Sequence, residues 1–233
     1  MKLKKDLKEV GYDLIDSPVR NHNVLQLWLK SPSGEAEVYY DHIDHALQSS
    51  QILEIVENDA LSINYEQDLE YKFNIGLTFL DGLLTSLGLG NLGLSSLFDG
   101  GKQVSISYGD SKTLDIPIGL LENYLSDADF RHPNKALKKN AKRDRILVIT
   151  GVIMAKDLKV VIETNTNIDK SLETSITNAL EGKIAYKRVS TKKLEMKSEG
   201  NNPFPVAVRA SRIDWDRGEF KKLKQITDNR NIF

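Results

Sequence analysis

The chain has 233 residues and a mass of 26.2 kDa, with 40% hydrophobic and 28% charged residues, which excludes wholesale disorder and a polytopic membrane protein and allows one core hiding roughly 70% of the unfolded surface. Cysteine is absent, so disulfide scaffolds, thiolate metal sites, cysteine nucleophiles and S-acylated anchors are excluded. A net charge of -1 conceals a polarised chain: residues 1–130 hold 9 Lys and Arg against 21 Asp and Glu, and residues 131–233 hold 23 against 12, giving either a basic C-terminal surface or two interleaved parts that neutralise each other.

The opening MKLKKDLKEV lacks the apolar core of an export signal. Leu3, Leu7 and Val10 share one helical face, with Lys2, Lys4, Lys5 and Lys8 around the rest, which predicts a short basic amphipathic helix. Such helices occur both on acidic membranes and docked on soluble cores. The spacing of Ile43, Ala46, Leu47, Ile52, Leu53 and Val56 predicts a helix over 43–56. From Leu61 to Ile75 apolar residues alternate with polar ones, as in a strand with one buried face, and Val104, Ile106 and Tyr108 repeat the pattern.

A helix follows over 118–129, with Leu120, Leu121, Tyr124 and Leu125 on its apolar side. Ile146 to Ile153 is a continuous apolar run of β-branched character, the mark of a buried strand. Leu158, Val160 and Ile162 alternate again; Leu172, Ile176 and Leu180 fit a helix, and the charged stretch 183–197 reads as extended. Phe204 to Trp215 reads as a strand, Arg217-Gly218 as a turn, and Glu219 to Gln225 as its partner or a helix. These elements predict an α+β fold, a twisted and largely antiparallel central sheet with surrounding helices.

Catalytic fingerprints are missing. His42 and His45 in DHIDH have a spacing compatible with a metal pair, Asp41 or Asp44 completing it. A polar helix start with an Asp cap is the preferred reading, because no third ligand motif occurs. Phosphate loops, nucleophile elbows and zinc-protease helices are absent, and the glycines of 88–93 lack the lysine and strand context of a phosphate cradle. The chain is read as non-enzymatic, with no cofactor and no metal.

Residues 75–98 carry a single charge, Asp81, and five glycines in 24 positions. The length matches a bilayer, whereas Asp81, Asn91 and the glycines argue against a permanent transmembrane helix. A core segment of a soluble protein is one reading. A segment stored folded and re-formed as lipid-facing strands is the other, since only helices and closed barrels satisfy the backbone in hydrocarbon.

Five segments, in order along nearly the whole chain, resemble the bacterial members of the gasdermin family of pore-forming proteins. They are GYDLIDSP at 11–18, LEYKFNIGLTFLDGLLTSLGLG at 69–90, QVSISYGDSKTLDIPIGLLENYLSDAD at 103–129, RILVITGVIMAKDLKVVIE at 145–163 and FPVAVRASRIDWDRGEF at 204–220. The resemblance implies an autoinhibited cytoplasmic protein that oligomerises on the cell inner membrane and opens a large β-barrel pore by inserting two hairpins per subunit, causing cell death in anti-phage defence.

Carried onto this sequence, the first hairpin lies within 64–108, with Tyr71, Phe73, Ile75, Leu77, Phe79, Leu83, Leu84, Val104, Ile106 and Tyr108 as inserting residues. The second lies within 145–193, with Leu147, Ile149, Val152, Leu158, Val160, Ile162, Ile184 and Tyr186. Lys2, Lys4, Lys5, Lys8, Lys135, Lys138, Lys139, Lys142 and Arg143 are the expected contacts to acidic lipid, at ~1 kcal/mol per residue near the surface. Residues 1–220 would form the pore-forming domain and 221–233 an inhibitory tail acting through Leu223, Ile226, Ile232 and Phe233. The implied partners are acidic lipid, further copies of the chain and an activating protease, without nucleic acid. Bacterial members often acylate an N-terminal cysteine, a priming step that a cysteine-free chain excludes. The alternative is a non-enzymatic module whose basic C-terminal half binds nucleic acid or an acidic partner.

Overall fold

The computed structural model describes residues 7–14, 22–31, 36–59, 69–72, 77, 80, 93–98, 100–107, 111–131, 134–156, 159–180, 185–197 and 203–226. Fifteen strands are described, and all pair antiparallel in three sheets. In chain order they are β1 (Asp13–Leu14), β2 (Leu27–Lys30), β3 (Ala36–Tyr40), β4 (Leu47–Gln48), β5 (Val56–Asp59), β6 (Leu69–Lys72), β7 (Gly101–Ser107) and β8 (Ser111–Asp115). Then come β9 (Asp129–Phe130), β10 (Ile146–Ala155), β11 (Lys159–Thr164), β12 (Ala185–Ser190), β13 (Lys193–Lys197), β14 (Phe204–Asp216) and β15 (Glu219–Gln225). Helices surround the sheets, so the α+β expectation holds.

The largest sheet is built on β10 and β14. The run ILVITGVIMA has no polar face to offer solvent, and nine of its ten residues are buried, as in a strand covered on both sides. One edge of β10 pairs with β2 over residues 146–148 and then with β8 over 151–155. Thr150 marks the handover. The register against β14 shifts between Ile149 and Gly151, while the Thr150 carbonyl accepts from Ile116 N–H at 3.0 Å and its hydroxyl donates to the Arg209 carbonyl at 3.2 Å. This extra residue keeps a buried backbone paired on both sides of a bulge.

The second sheet has the order β12-β13-β11-β7-β6, and the third pairs β4 with β9. Helix Ile118–Asp127 buries Leu121, Tyr124 and Leu125, while Leu120, expected on the same face, is 39% exposed. Helix Lys135–Ala141 starts at Asn134, whose side chain accepts from the N–H groups of Ala136 and Leu137 at 3.0 Å each, and it buries Leu137 and Ala141. Helix Lys170–Leu180 buries Ile176 and is capped by Asp169, which accepts from Leu172 N–H at 2.7 Å.

Three sequence expectations are corrected. In place of a helix over 43–56 there is a short 3-10 turn, Ile43–His45, followed by β4 and an irregular stretch leading to β5. Ser49 and Ser50 donate three hydrogen bonds to the Asp127 carboxylate at 2.7–2.8 Å, an alternative to the helical ladder, and Ile52 is 80% exposed. At the N-terminus residues 7–9 are helical and Leu7 is buried, but Val10 points outward, 61% exposed. His42, rather than an Asp, caps the 3-10 turn, its Nδ1 accepting from Asp44 N–H at 3.3 Å.

Candidate membrane-inserting sheet and basic cluster

The second sheet collects strands from both windows expected to insert. Along β7 the burial alternates, with Val104 and Ile106 buried between half-exposed Gln103 and Ser105. Along β11 Val160 and Ile162 are buried between Lys159, Val161 and Glu163, and along β13 Leu194 and Met196 between Lys193 and Glu195. Because all three strands are paired in register, the buried residues line up across the sheet. One row runs Tyr71, Val104, Ile162, Leu194 and Arg188 by backbone register. The next runs Leu69, Ile106, Val160, Met196 and Tyr186. The polar face carries ion pairs, Lys102 to Glu163 at 2.9 Å and Lys197 to Glu195 at 3.3 Å. One apolar and one polar face is the pattern of an antiparallel sheet packed on a core by one side, and here the apolar rows belong to the core.

Tyr71, Val104, Ile106, Val160, Ile162 and Tyr186 are therefore brought together. Leu194 and Met196 belong with them and were missed, although the alternation in KLEMK signals them. Leu147, Ile149 and Val152 sit instead in β10 of the large sheet. They oppose Arg212, Ala210 and Val208, alternate positions of β14, so the bulge at Thr150 holds all three on one face despite the change from odd to even numbering. Leu77 is fully buried, as are Leu80 and Leu94 of the glycine-punctuated segment. Phe73, Ile75, Phe79, Leu83, Leu84, Tyr108, Leu158 and Ile184 lie outside the described residues. Among the described residues no helix is long and apolar enough to cross a membrane.

Lys135, Lys138, Lys139, Lys142 and Arg143 are exposed on one short helix and the turn after it. Lysines in the last turn complement the helix dipole. Lys8 is half-buried and pairs with Asp13 at 3.9 Å; Lys2, Lys4 and Lys5 lie outside the described residues.

The start of the expected tail is strand β15, which pairs with β14 from Asp216↔Glu219 to Ser211↔Gln225, and Ile226 N–H continues to the Ala210 carbonyl at 3.1 Å. Leu223 and Ile226 pack partly buried on the core. The 220/221 boundary thus falls inside a strand, and Ile232 and Phe233 lie outside the described residues. Near the end of β15, Gln225 reaches Gly11, whose φ of 82° and lack of a Cβ let the N-terminal segment pass beneath it.

A polar node absent from the sequence reading joins these parts. Asp115 on β8 accepts from Arg209 Nη2 at 2.7 Å and from the Tyr12 hydroxyl. The Arg209 guanidinium also stands 5.1 Å from the centre of the Tyr12 ring, a cation–π arrangement. Burial, then the bond to Asp115, pushes the Tyr12 phenol above its ordinary range.

Residues 15–219 match the sequence model of the Bacterial Gasdermin Family. The chain belongs to that family. It is 22% identical over 227 residues to the gasdermin of a Desulfuromonadales bacterium, covering 94% of this chain and 84% of that protein. With the gasdermin of Gillisia limnaea it shares 23% identity over 219 residues, covering 92% and 82%. A solved bacterial gasdermin from Bradyrhizobium tropiciagri superposes with a TM-score of 0.59 at 13% identity, covering 95% of this chain and 90% of that one. The fold is thus the gasdermin fold.

Proposed function

We propose that this gasdermin is a non-enzymatic pore former held inactive by its own C-terminus. Residues 1–220 form the pore-forming part, and 221–233, beginning within β15, form the inhibitory tail. Release of the tail, by a partner protease, uncovers the backbone of β14, an open edge suited to pairing with a second copy. Copies then gather on acidic lipid of the inner membrane through Lys8 and the cluster at 135–143. Strands of the second sheet, extended through 64–108 and 145–193, insert as hairpins, each barrel strand needing ~9–11 residues. Before activation the protein is cytoplasmic, and the opened pore kills the cell as a defence against phage.

The observation that carries this reading is the pair of apolar rows across β7, β11 and β13, which already separate an apolar from a polar face. Dye release from acidic liposomes tests it, comparing the full chain with versions stopped after Gly218 and after Phe220, both of which remove most or all of β15. Release by the shortened forms alone is expected. Silence from folded, soluble shortened forms overturns tail-release activation.

A further inference from the structure

We propose that the cavity between helix Lys135–Ala141 and the β14–β15 turn binds a phosphate monoester. The cavity measures about 560 Å³ and is lined by Lys138, Lys142, Arg217, Asp129, Phe130 and Trp215. Its cations come from two elements far apart in sequence. None of the three forms an ion pair among the described residues. Three positive charges against the single carboxylate of Asp129 leave a surplus of two, the charge of a monoester dianion near neutral pH.

Arg217 is placed at a conformational cost. The turn Arg217–Gly218 has φ of 53° and 101°, the two left-handed positions of a type I′ hairpin, where Asn-Gly is the usual choice. An arginine there costs about 1–2 kcal/mol of backbone strain, and strain kept at a cavity rim points to a use for the guanidinium. Arginine's fixed fork of donors suits the oxygens of a phosphate.

Two aromatic rings line the cavity. Phe130 and Trp215 lie 5.1 Å apart between ring centres, and Lys138 Nζ stands 5.6 Å over the Phe130 ring. The Trp215 indole N–H is buried and has no hydrogen-bond partner among the described residues, a deficit that a ligand oxygen reaching it would fill. A diester headgroup carries one charge and fewer terminal oxygens, so the site selects monoesters, supplied by a soluble metabolite or by a lipid ending in a bare phosphate.

The site shares Lys138 and Lys142 with the lipid-facing cluster, and rests on the pore-forming reading only for the lipid source of its ligand. Its test is carried out on the soluble full chain, so failure of dye release leaves the result intact. The indole N–H resonance of Trp215, assigned with Trp215→Phe, is followed during titration with inorganic phosphate, glycerol 3-phosphate and dimethyl phosphate. A saturable shift is expected with the first two, with binding about tenfold weaker for dimethyl phosphate and for Arg217→Gly, the loss of one charge-assisted contact. Glycine adopts the left-handed turn freely, so this variant keeps or raises its Tm, and a merely structural arginine would leave the titration unchanged.

Vesicles of phosphatidylcholine with phosphatidic acid separate the two sources. Competition by glycerol 3-phosphate identifies the lipid headgroup as an occupant, and its absence alongside a saturable shift identifies the soluble ester. No shift with any phosphate, an equal shift in Arg217→Gly, or equal response to phosphatidylglycerol vesicles overturns the proposal.

Discussion

Arg209 on β14 and Asp115 on β8 are 94 positions apart in sequence and meet at 2.7 Å. Both side chains are about one-fifth exposed, and the Tyr12 hydroxyl shares the same carboxylate oxygen. The node ties the N-terminal segment to β8 and β14 of the largest sheet. Arg209→Ala removes a charge-assisted bond of about 1.5–3 kcal/mol together with the cation over the Tyr12 ring, and Tyr12→Phe removes one bond to the same carboxylate, at the lower end of that range. Urea unfolding should rank the two in that order. Midpoints equal to the parent's would remove the node from the stability of the fold.

Two glycines beside this node should respond differently to alanine. A Cβ on Gly151 meets the Asp115 carboxylate inside contact distance and the Tyr12 hydroxyl at 2.6 Å, and both groups are held by each other. Overpacking there should cost about 2–3 kcal/mol. At Gly11 the obstacle is the far end of the Gln225 side chain, which swings away, leaving a φ of 82° as the cost, about 1–2 kcal/mol. Gly11→Ala should also speed hydrogen exchange in β15, whereas Gly151→Ala should not do so selectively. The reverse ranking would contradict this account of both sites.

Lys135 and Lys139 are exposed and lie outside the lining of the phosphate cavity. Replacing both by Ala should weaken sedimentation with acidic vesicles by about 30-fold at low salt, from ~1 kcal/mol each. The effect should shrink as salt rises. Unchanged affinity would move the lipid-facing surface elsewhere on the molecule.

The Asp127 carboxylate is held below its usual range, first by the Ser50 backbone N–H and then by the hydroxyls of Ser49 and Ser50. A depressed folded-state value means that this contribution is full above the unfolded value of about 4 and is lost as pH falls through the lower folded one. The Tm advantage of the parent over Asp127→Asn should therefore narrow as pH drops below about 4. A gap constant across that window would refute the assignment.

Strands were legible where burial is one-sided. Val104 and Ile106 in β7, and Val160 and Ile162 in β11, announce themselves by alternation because each pleat sends neighbours to opposite faces. The 43–56 segment misled because its apolar spacing suits a helix while the Ser50 N–H and the hydroxyls of Ser49 and Ser50 are claimed by Asp127, almost 80 positions away. Arg209 and Asp115 carried no local signal either. A cavity assembled from Phe130, Lys142 and Arg217 is a product of topology, and spacing along the chain does not encode it.

The turn at Arg217–Gly218 and the pairing of β15 also bear on how the proposed tail would meet a protease. Proteases bind a stretch of substrate as an isolated extended strand, yet the bonds after Lys221, Lys222 and Lys224 belong to a paired strand and that after Arg217 to a two-residue turn. These sites become substrates only in molecules whose last strand has peeled away. Cleavage by a trypsin-like enzyme would then proceed at a rate set by the opening equilibrium of β15 while reclosing is fast, so in the proposed activation the hydrogen bonds between β14 and β15 would also set the pace of proteolysis.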